Sequence, residues 1–336
     1  MKSIAVVALF AALGFVGCVG PESAAVDTER RAIVGGRTVD TDPSIVMIYA
    51  YGRGAGTCTG AVIAPRVVLT AAHCIDKDEL GDVNFVVYNG GFIDDAQFSD
   101  LIRAKEGIMH PDYDGNTVGA GFDIGLLIFE KDLVDKRTGQ PFVPLPWMRK
   151  PLTDDLMGQD ARLVGYGVTS GDENAYDSGV KRETSTPLST YDDNFLEFDS
   201  TEHNMCSGDS GGPVLMQVDG IETVVGVNSF VSYPYCESGG FSSRVDIYLD
   251  WIDSTIEAKT GWIHPSKRPT KVLGDACAEH KECTTGLCVF DNKTAAGYCS
   301  TTCDPKAAAP TGYQCTEVDG NTLLVKGTPK KGCDMT

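Results

Sequence analysis

Histidine and tryptophan are scarce in this chain, five and three in 336 residues. Basic residues are few as well: 28 Lys and Arg stand against 47 Asp and Glu, a formal net charge of −19. Phosphate contacts need clustered Lys and Arg, so this balance excludes a nucleic-acid-binding protein. Long apolar runs are missing too. Ile4 to Val16 is an apolar stretch of thirteen residues behind Lys2, too short to cross a bilayer as a helix and suited to the core of an export signal. No later segment is long and apolar enough to be a transmembrane helix. Internal repeats and low-complexity tracts are absent. What remains is an ordinary globular composition, 42% apolar and 22% charged, long enough for two domains.

Residues 1–17 therefore read as an export signal and residues 18–32 as a propeptide or linker. Gly17-Cys18 resembles the end of a lipoprotein signal, with lipid on Cys18 as a possible membrane anchor; ordinary cleavage nearby, with Cys18 incidental, is the alternative. Twelve cysteines behind such a signal imply disulfides and a secreted or cell-envelope location. Their density divides the chain. Residues 33–259 hold Cys58, Cys74, Cys206 and Cys236, whereas residues 274–336 hold seven, the density of a small module stapled by bridges. Residues 260–273, with Pro265 and Pro269, read as an extended linker.

The larger region looks all-β. Short β-branched or aromatic runs recur between turn residues at 45–51, 61–69, 83–88, 124–129, 161–166, 214–218 and 223–227. One helix is expected near its end, where Val245, Tyr248, Trp251, Ile252 and Ile256 fall at helical spacing.

Four short motifs carry the chemistry. In Gly208-Asp209-Ser210-Gly211-Gly212-Pro213 a serine, a weak nucleophile that needs a neighbouring base, lies among glycines that let the backbone turn its N–H groups toward an oxyanion. The same stretch fits the nucleophile elbow of α/β-hydrolases, but there a helix and a later histidine follow the serine. Here Val214-Leu215-Met216 reads as a strand, and only His264 and His280 come later. Thr70-Ala71-Ala72-His73-Cys74 places a histidine, able to exchange protons near neutrality, directly after an apolar strand. Asp123-Ile124-Gly125-Leu126-Leu127 sets an aspartate before another, where it is either a turn residue or the partner that orients a catalytic histidine. Ile33-Val34-Gly35-Gly36 completes the set.

Together, and in this order, the four motifs resemble those of the trypsin/chymotrypsin family of serine proteases over residues 33–259, as does His110-Pro111-Asp112-Tyr113. The resemblance implies two six-stranded antiparallel β-barrels with a cleft between them and a C-terminal helix. It implies a triad of Ser210 as nucleophile, His73 as general base and acid, and Asp123 as orienter. Backbone N–H groups of Gly208 and Ser210 would form the oxyanion hole. A freed Ile33 ammonium would pair with Asp209, which makes the chain a zymogen. Cys58–Cys74 and Cys206–Cys236 match two family disulfides. Protein or peptide substrates are implied and no cofactor or metal is.

This sequence departs from the family around the substrate pocket. Asn204, six residues before Ser210, stands where trypsin-type enzymes carry an aspartate, so a bound Lys or Arg would lack its charge partner. Ser229-Phe230-Val231 replaces the common Ser-Trp-Gly, with Val231 narrowing the mouth. Small or medium uncharged residues before the cut bond are expected. An acidic residue reaching the pocket from elsewhere, for instance Glu237 just past Cys236, would oppose that. The seven-cysteine module resembles disulfide domains appended to secreted bacterial proteases, with anchoring, recruitment of an unknown ligand or protection as its roles; zinc binding lacks the CxxC pairs. A catalytically inactive binding protein is the competing function, although all three triad residues are present.

Overall fold

The computed structural model of this protein describes residues 33–52, 55–171, 177–232, 236, 238–279, 282–285, 287–290, 296–301, 303, 309–318 and 321–326. The export signal, Cys18, Ala32, Glu237, His280, Cys333 and Asn292-Lys293-Thr294, which matches the pattern of a glycosylation sequon, lie outside the described residues.

Strand β1 (Arg37–Thr38) is followed by β2 (Ile45–Gly52), β3 (Ala55–Ala64), β4 (Val67–Thr70), β5 (Val83–Tyr88), β6 (Ile102–Arg103), β7 (Glu106–Met109) and β8 (Gly125–Ile128). Strands β2 to β8 make one antiparallel sheet in the order β6-β5-β2-β3-β4-β8-β7. The chain then adds β9 (Asp160–Gly165), β10 (Arg182–Pro187), β11 (Thr190–Tyr191), β12 (Phe195–Phe198), β13 (Pro213–Val218), β14 (Ile221–Val231) and β15 (Gly240–Arg244). These form the second antiparallel sheet with β1, in the order β1-β10-β9-β13-β14-β15-β12-β11. The architecture is all-β, two curled antiparallel half-barrels followed by a short helix and a disulfide-rich region. Each half-barrel has six strands of four residues or more; the two-residue strands β6, β1 and β11 bring the totals to seven and eight.

Sequence pattern explains the layers. The strand β4 (Val-Val-Leu-Thr) is buried at every position, and β2 is buried throughout its first half before alternating outward, as strands with both faces covered must be. The 61–69 run is two strands, because Pro65-Arg66 turns the chain between β3 and β4. One continuous apolar core, from Ile45, Leu69 and Leu126 to Leu163, Val214 and Val227, links the two sheets.

The helix spans Leu249–Thr260, beginning four residues after its first apolar marker Val245, because a 3-10 turn (Asp246–Tyr248) precedes it. Its inner face buries Ile252 and Ile256, and left-handed Gly261 closes it with an N–H bond to Glu257 O at 2.8 Å. The helix belongs to the second half of the chain but reaches the first sheet. There Lys259 Nζ meets Glu106 Oε2 at 2.9 Å and the Arg66 guanidinium donates to Thr260 O. Strand β1 crosses the opposite way, pairing Arg37 with Glu183 on β10.

Residues 262–268 are packed against this body. The Trp262 ring lies 6.0 Å from Trp147, His264 packs edge-on to Trp147 at 4.5 Å, and Lys267 Nζ is 2.7 Å from Asp253. Beyond them the C-terminal region holds a three-stranded sheet, a two-stranded hairpin and the disulfides Cys277–Cys288, Cys283–Cys299 and Cys303–Cys315. Among the described residues no helix is long and apolar enough to cross a membrane.

Candidate active site

His73 opens a 3-10 turn directly after β4, and the Cys58–Cys74 disulfide ties that turn to β3. Asp123 occupies a tight turn before β8. Gly121 (φ +101°) and Phe122 (φ +65°) both take positive φ, and Ile124 N–H closes back on Phe122 O at 2.7 Å. A bulky residue at positive φ is strained and persists only where its surroundings hold it. Here the Phe122 N–H donates to Tyr248 Oη at 2.8 Å, and the Phe122 ring stacks on His110 at 5.0 Å.

The turn delivers the Asp123 carboxylate, fully buried, to His73. Oδ1 accepts the His73 backbone N–H at 3.0 Å and Oδ2 accepts His73 Nδ1–H at 2.8 Å. Ser229 Oγ donates to Oδ2, and Ser243 Oγ to the Asp123 backbone oxygen at 2.9 Å. Burial alone would push the Asp123 carboxyl up, but the bonds from His73 and Ser229 and the histidine charge outweigh it and hold the group below its ordinary range. For His73, burial opposes a charge, yet the hydrogen bond and charge of Asp123 win and raise the imidazole above 6.5. Because Nδ1 is committed to Asp123, Nε2 is left to exchange a proton.

Ser210 sits between the two sheets. Its carbonyl accepts Thr59 N–H on β3 at 2.8 Å, and its Oγ lies 3.5 Å from Ser229 O on β14. Among the described contacts no hydrogen bond joins Oγ to His73 Nε2. Gly211 (φ +80°) must be glycine, because a Cβ there would lie 2.0 Å from Thr70 Oγ1 and 2.4 Å from Thr59 O. Gly208 is also left-handed (φ +98°). Among the described residues neither Gly208 N–H nor Ser210 N–H donates to a protein acceptor.

Asp209 is fully buried; Oδ1 accepts Gly167 N–H at 2.8 Å and Oδ2 accepts Cys206 N–H at 2.9 Å. Burial pushes its carboxyl up to about 7, because two backbone donors only partly offset the desolvation. Ile33 is buried, and Val34 bridges Asn204, whose N–H reaches Val34 O at 3.3 Å. In the continuous chain the Ile33 nitrogen is a peptide amide and carries no charge.

The candidate pocket residues converge as well. Asn204 is buried, with Oδ1 accepting Met205 N–H at 2.9 Å and Nδ2 donating to Cys236 O at 3.5 Å. Cys236 is held to Cys206 by a disulfide. Both Asn204 and Met205 press on Gly240, where a Cβ would lie 2.5 Å from Asn204 Oδ1 and 2.8 Å from Met205 Cε. Phe230 stacks on Phe241 at 4.7 Å, and Val231 pairs with Gly240. A bulge between Asn228 and Phe230 turns Ser229 toward Asp123. His203 bonds Thr184 Oγ1 at 3.0 Å and covers Gly35.

Sequence reasoning missed Met205, Ser243 and Tyr248. The motifs around the triad give no sign of them, because their contacts with the Asp123 turn span 120 residues or more for Ser243 and Tyr248. Among the described residues the two groups that approach metal-site geometry, Cys58–His73–Cys74 and the all-cysteine Cys277–Cys283–Cys299, have their sulfurs committed to disulfides.

Comparison with known proteins places this arrangement. The trypsin family model matches residues 33–252. A chymotrypsin from Phaedon cochleariae is 30% identical over 226 residues, 63% of this chain and 77% of that protein. The chymotrypsin-like elastase family member 1 of Macaca fascicularis is 29% identical, covering 60% of this chain and 79% of its own. Urokinase-type plasminogen activator of Gallus gallus is 29% identical, covering 67% and 58%. These relatives are animal proteins, so the similarity carries no bacterial origin, and the family match ends before the cysteine-rich module.

Proposed function

Since this chain belongs to the trypsin family of serine proteases, we propose that it is an exported endopeptidase in which Ser210 is the nucleophile, His73 the general base and acid, and Asp123 the orienting carboxylate. The observation that carries this reading is the buried Asp123 carboxylate, 2.8 Å from His73 Nδ1. That bond fixes the tautomer in which Nε2 is basic. A rotation of Ser210 about its Cα–Cβ bond from Ser229 O toward Nε2 lets the hydroxyl lose its proton to the imidazole as Oγ attacks the scissile carbonyl. Gly208 N–H and Ser210 N–H receive the developing negative charge. The imidazolium then protonates the leaving amine, and an acyl ester on Ser210 remains. Water, deprotonated by the same imidazole, hydrolyses that ester and restores the serine.

Activation follows cleavage before Ile33. The new ammonium would meet the Asp209 carboxylate, whose burial, only partly offset by two backbone donors and the charge of Arg182, otherwise favours its neutral form. Arg30-Arg31 offers a tempting trypsin-like cut, but Ala32 at the terminus would displace the charge by up to roughly 3.5 Å. Small or medium uncharged residues before the cut bond suit a pocket whose Asn204 amide is bonded internally and whose wall carries Met205 and Val231. The similarity to elastases agrees with that preference. Lipid on Cys18 and a ligand for the C-terminal module remain part of this reading as the means of holding the enzyme near its substrate.

A fluorophosphonate probe tests the assignment. It should label Ser210 in the processed protein, with Ile33 found by N-terminal sequencing, and should not label Ser210→Ala. That substitution should lower kcat by on the order of 10⁵ to 10⁶ with folding intact. Undiminished turnover in Ser210→Ala would sink the assignment. An unlabelled, processed wild type would favour the inactive binding protein instead.

A further inference from the structure

A second concave surface lies on the first half-barrel, outside the catalytic groups. It is a groove of about 500 Å³ whose floor crosses β3, β2 and β5 at Thr57, Tyr49 and Val86, with Ile93, Phe98 and Leu101 as its wall. Two of the large apolar side chains that line it face solvent: Phe98 is 92% exposed and Tyr49 is 40% exposed. Apolar side chains clustered in this way mark a contact surface rather than scattered surface residues.

The wall is built, not loose. Ile93 and Phe98 begin successive 3-10 turns (Ile93–Asp95 and Phe98–Asp100), and Asp100 Oδ2 caps the second by accepting Gln97 N–H at 2.9 Å. The loop is also tied to the second half-barrel. Ile93 N–H donates to Gly179 O at 2.8 Å, and a Cβ on Gly179 would lie 2.4 Å from Ile93 Cγ2. Between Gly90 and Ile102 the loop carries Asp94, Asp95 and Asp100 and no Lys or Arg.

We propose that this groove binds the substrate segment on the leaving-amine side of the cut bond, taking a bulky apolar residue flanked by a basic one. The inference rests on the protease reading above and deepens it. Continuity with Ser210 fixes the direction. Ser210 lies between Ser229 on β14 and Thr59 on β3, and the candidate acyl-side pocket is on the β14 side. The leaving half must therefore run past β3, where Thr57 opens the groove. Two strand spacings separate Thr57 from Val86, about 10 Å, which an extended chain covers in roughly three residues. The apolar residue belongs at the third to fifth position after the cut, and the acidic loop beside Phe98 supplies the field for its Lys or Arg neighbour.

Three measurements decide it. Two twelve-residue peptides share an acyl half and differ in the leaving half, with Phe-Lys or Ser-Ser at its fourth and fifth positions. Binding to Ser210→Ala, read by fluorescence anisotropy, should be about tenfold tighter for the Phe-Lys peptide, and Phe98→Ser in that background should abolish the difference. Ile221→Ser, an exposed apolar residue on β14 outside the groove, should retain it. Equal binding of the two peptides, or a preference that survives both Phe98→Ser and Tyr49→Ser, overturns the proposal. A nitroanilide with no leaving-side residues reports hydrolysis separately, so its failure to turn over counts against the protease reading while the binding result still judges the groove.

Discussion

His73 carries two opposed influences, and the winner sets a measurable pH limit. Burial disfavours its charged form, whereas Asp123 favours it more strongly, so the imidazole stays protonated to a higher pH than a free histidine. In the proposed mechanism only the neutral ring can take the Ser210 proton. Activity should therefore fall as pH drops through the raised value, and the acid limb of a kcat/KM profile should have its midpoint above 6.5. A midpoint at or below 6.5 would mean that Asp123 does not hold the ring in the working enzyme. At this scale the sequence is informative about residues inside motifs and silent about those that support them. His73, Asp123 and Ser210 lie in recognisable surroundings, while Ser243 meets the Asp123 turn across 120 residues through a contact that tertiary packing alone creates.

Elements were legible where apolar residues dominate them. The β2, β5, β9 and β13 segments read as strands because buried apolar side chains dominate them. Strand β10, Arg-Glu-Thr-Ser-Thr-Pro, buries Arg182, Thr184 and Thr186 alternately, so its period of two is written in polar residues and carries no hydrophobic signal. Strand β15, Gly-Phe-Ser-Ser-Arg, is hidden in the same way, with Ser242 and Ser243 fully buried. The Asp123 turn is the element most dependent on distant support, since Tyr248 supplies the one acceptor described for the Phe122 N–H. Tyr248→Phe removes that acceptor and should cost about 1–2 kcal/mol in denaturant unfolding. It should also lower kcat more than it changes KM, because the displaced group orients His73 and does not touch substrate. A stability loss with kcat unchanged would show that the turn holds Asp123 without Tyr248.

On the scale of the whole molecule, the two half-barrels exchange their ends. The first strand of the protease region is laid on the second sheet through Arg37 and Glu183, and the final helix reaches the first sheet through Lys259, Glu106 and the carbonyl of Thr260. One apolar core runs through both. Neither disulfide of this region bridges the halves, since Cys58–Cys74 lies in one and Cys206–Cys236 in the other. Such an interlock should hold the halves together without an unbroken backbone between β8 and β9 once folding is complete. Lys136 and the residues after it are exposed on that connection, where a protease that cleaves after basic residues should cut first. After a single nick at Lys136 the two fragments should elute together and keep turning over substrate, and should separate in denaturant without any reductant. A nicked protein that falls apart in native buffer would show that the exchanged ends contribute little. Intact behaviour would make this a molecule that tolerates injury at its own waist, a useful property wherever other proteases are present.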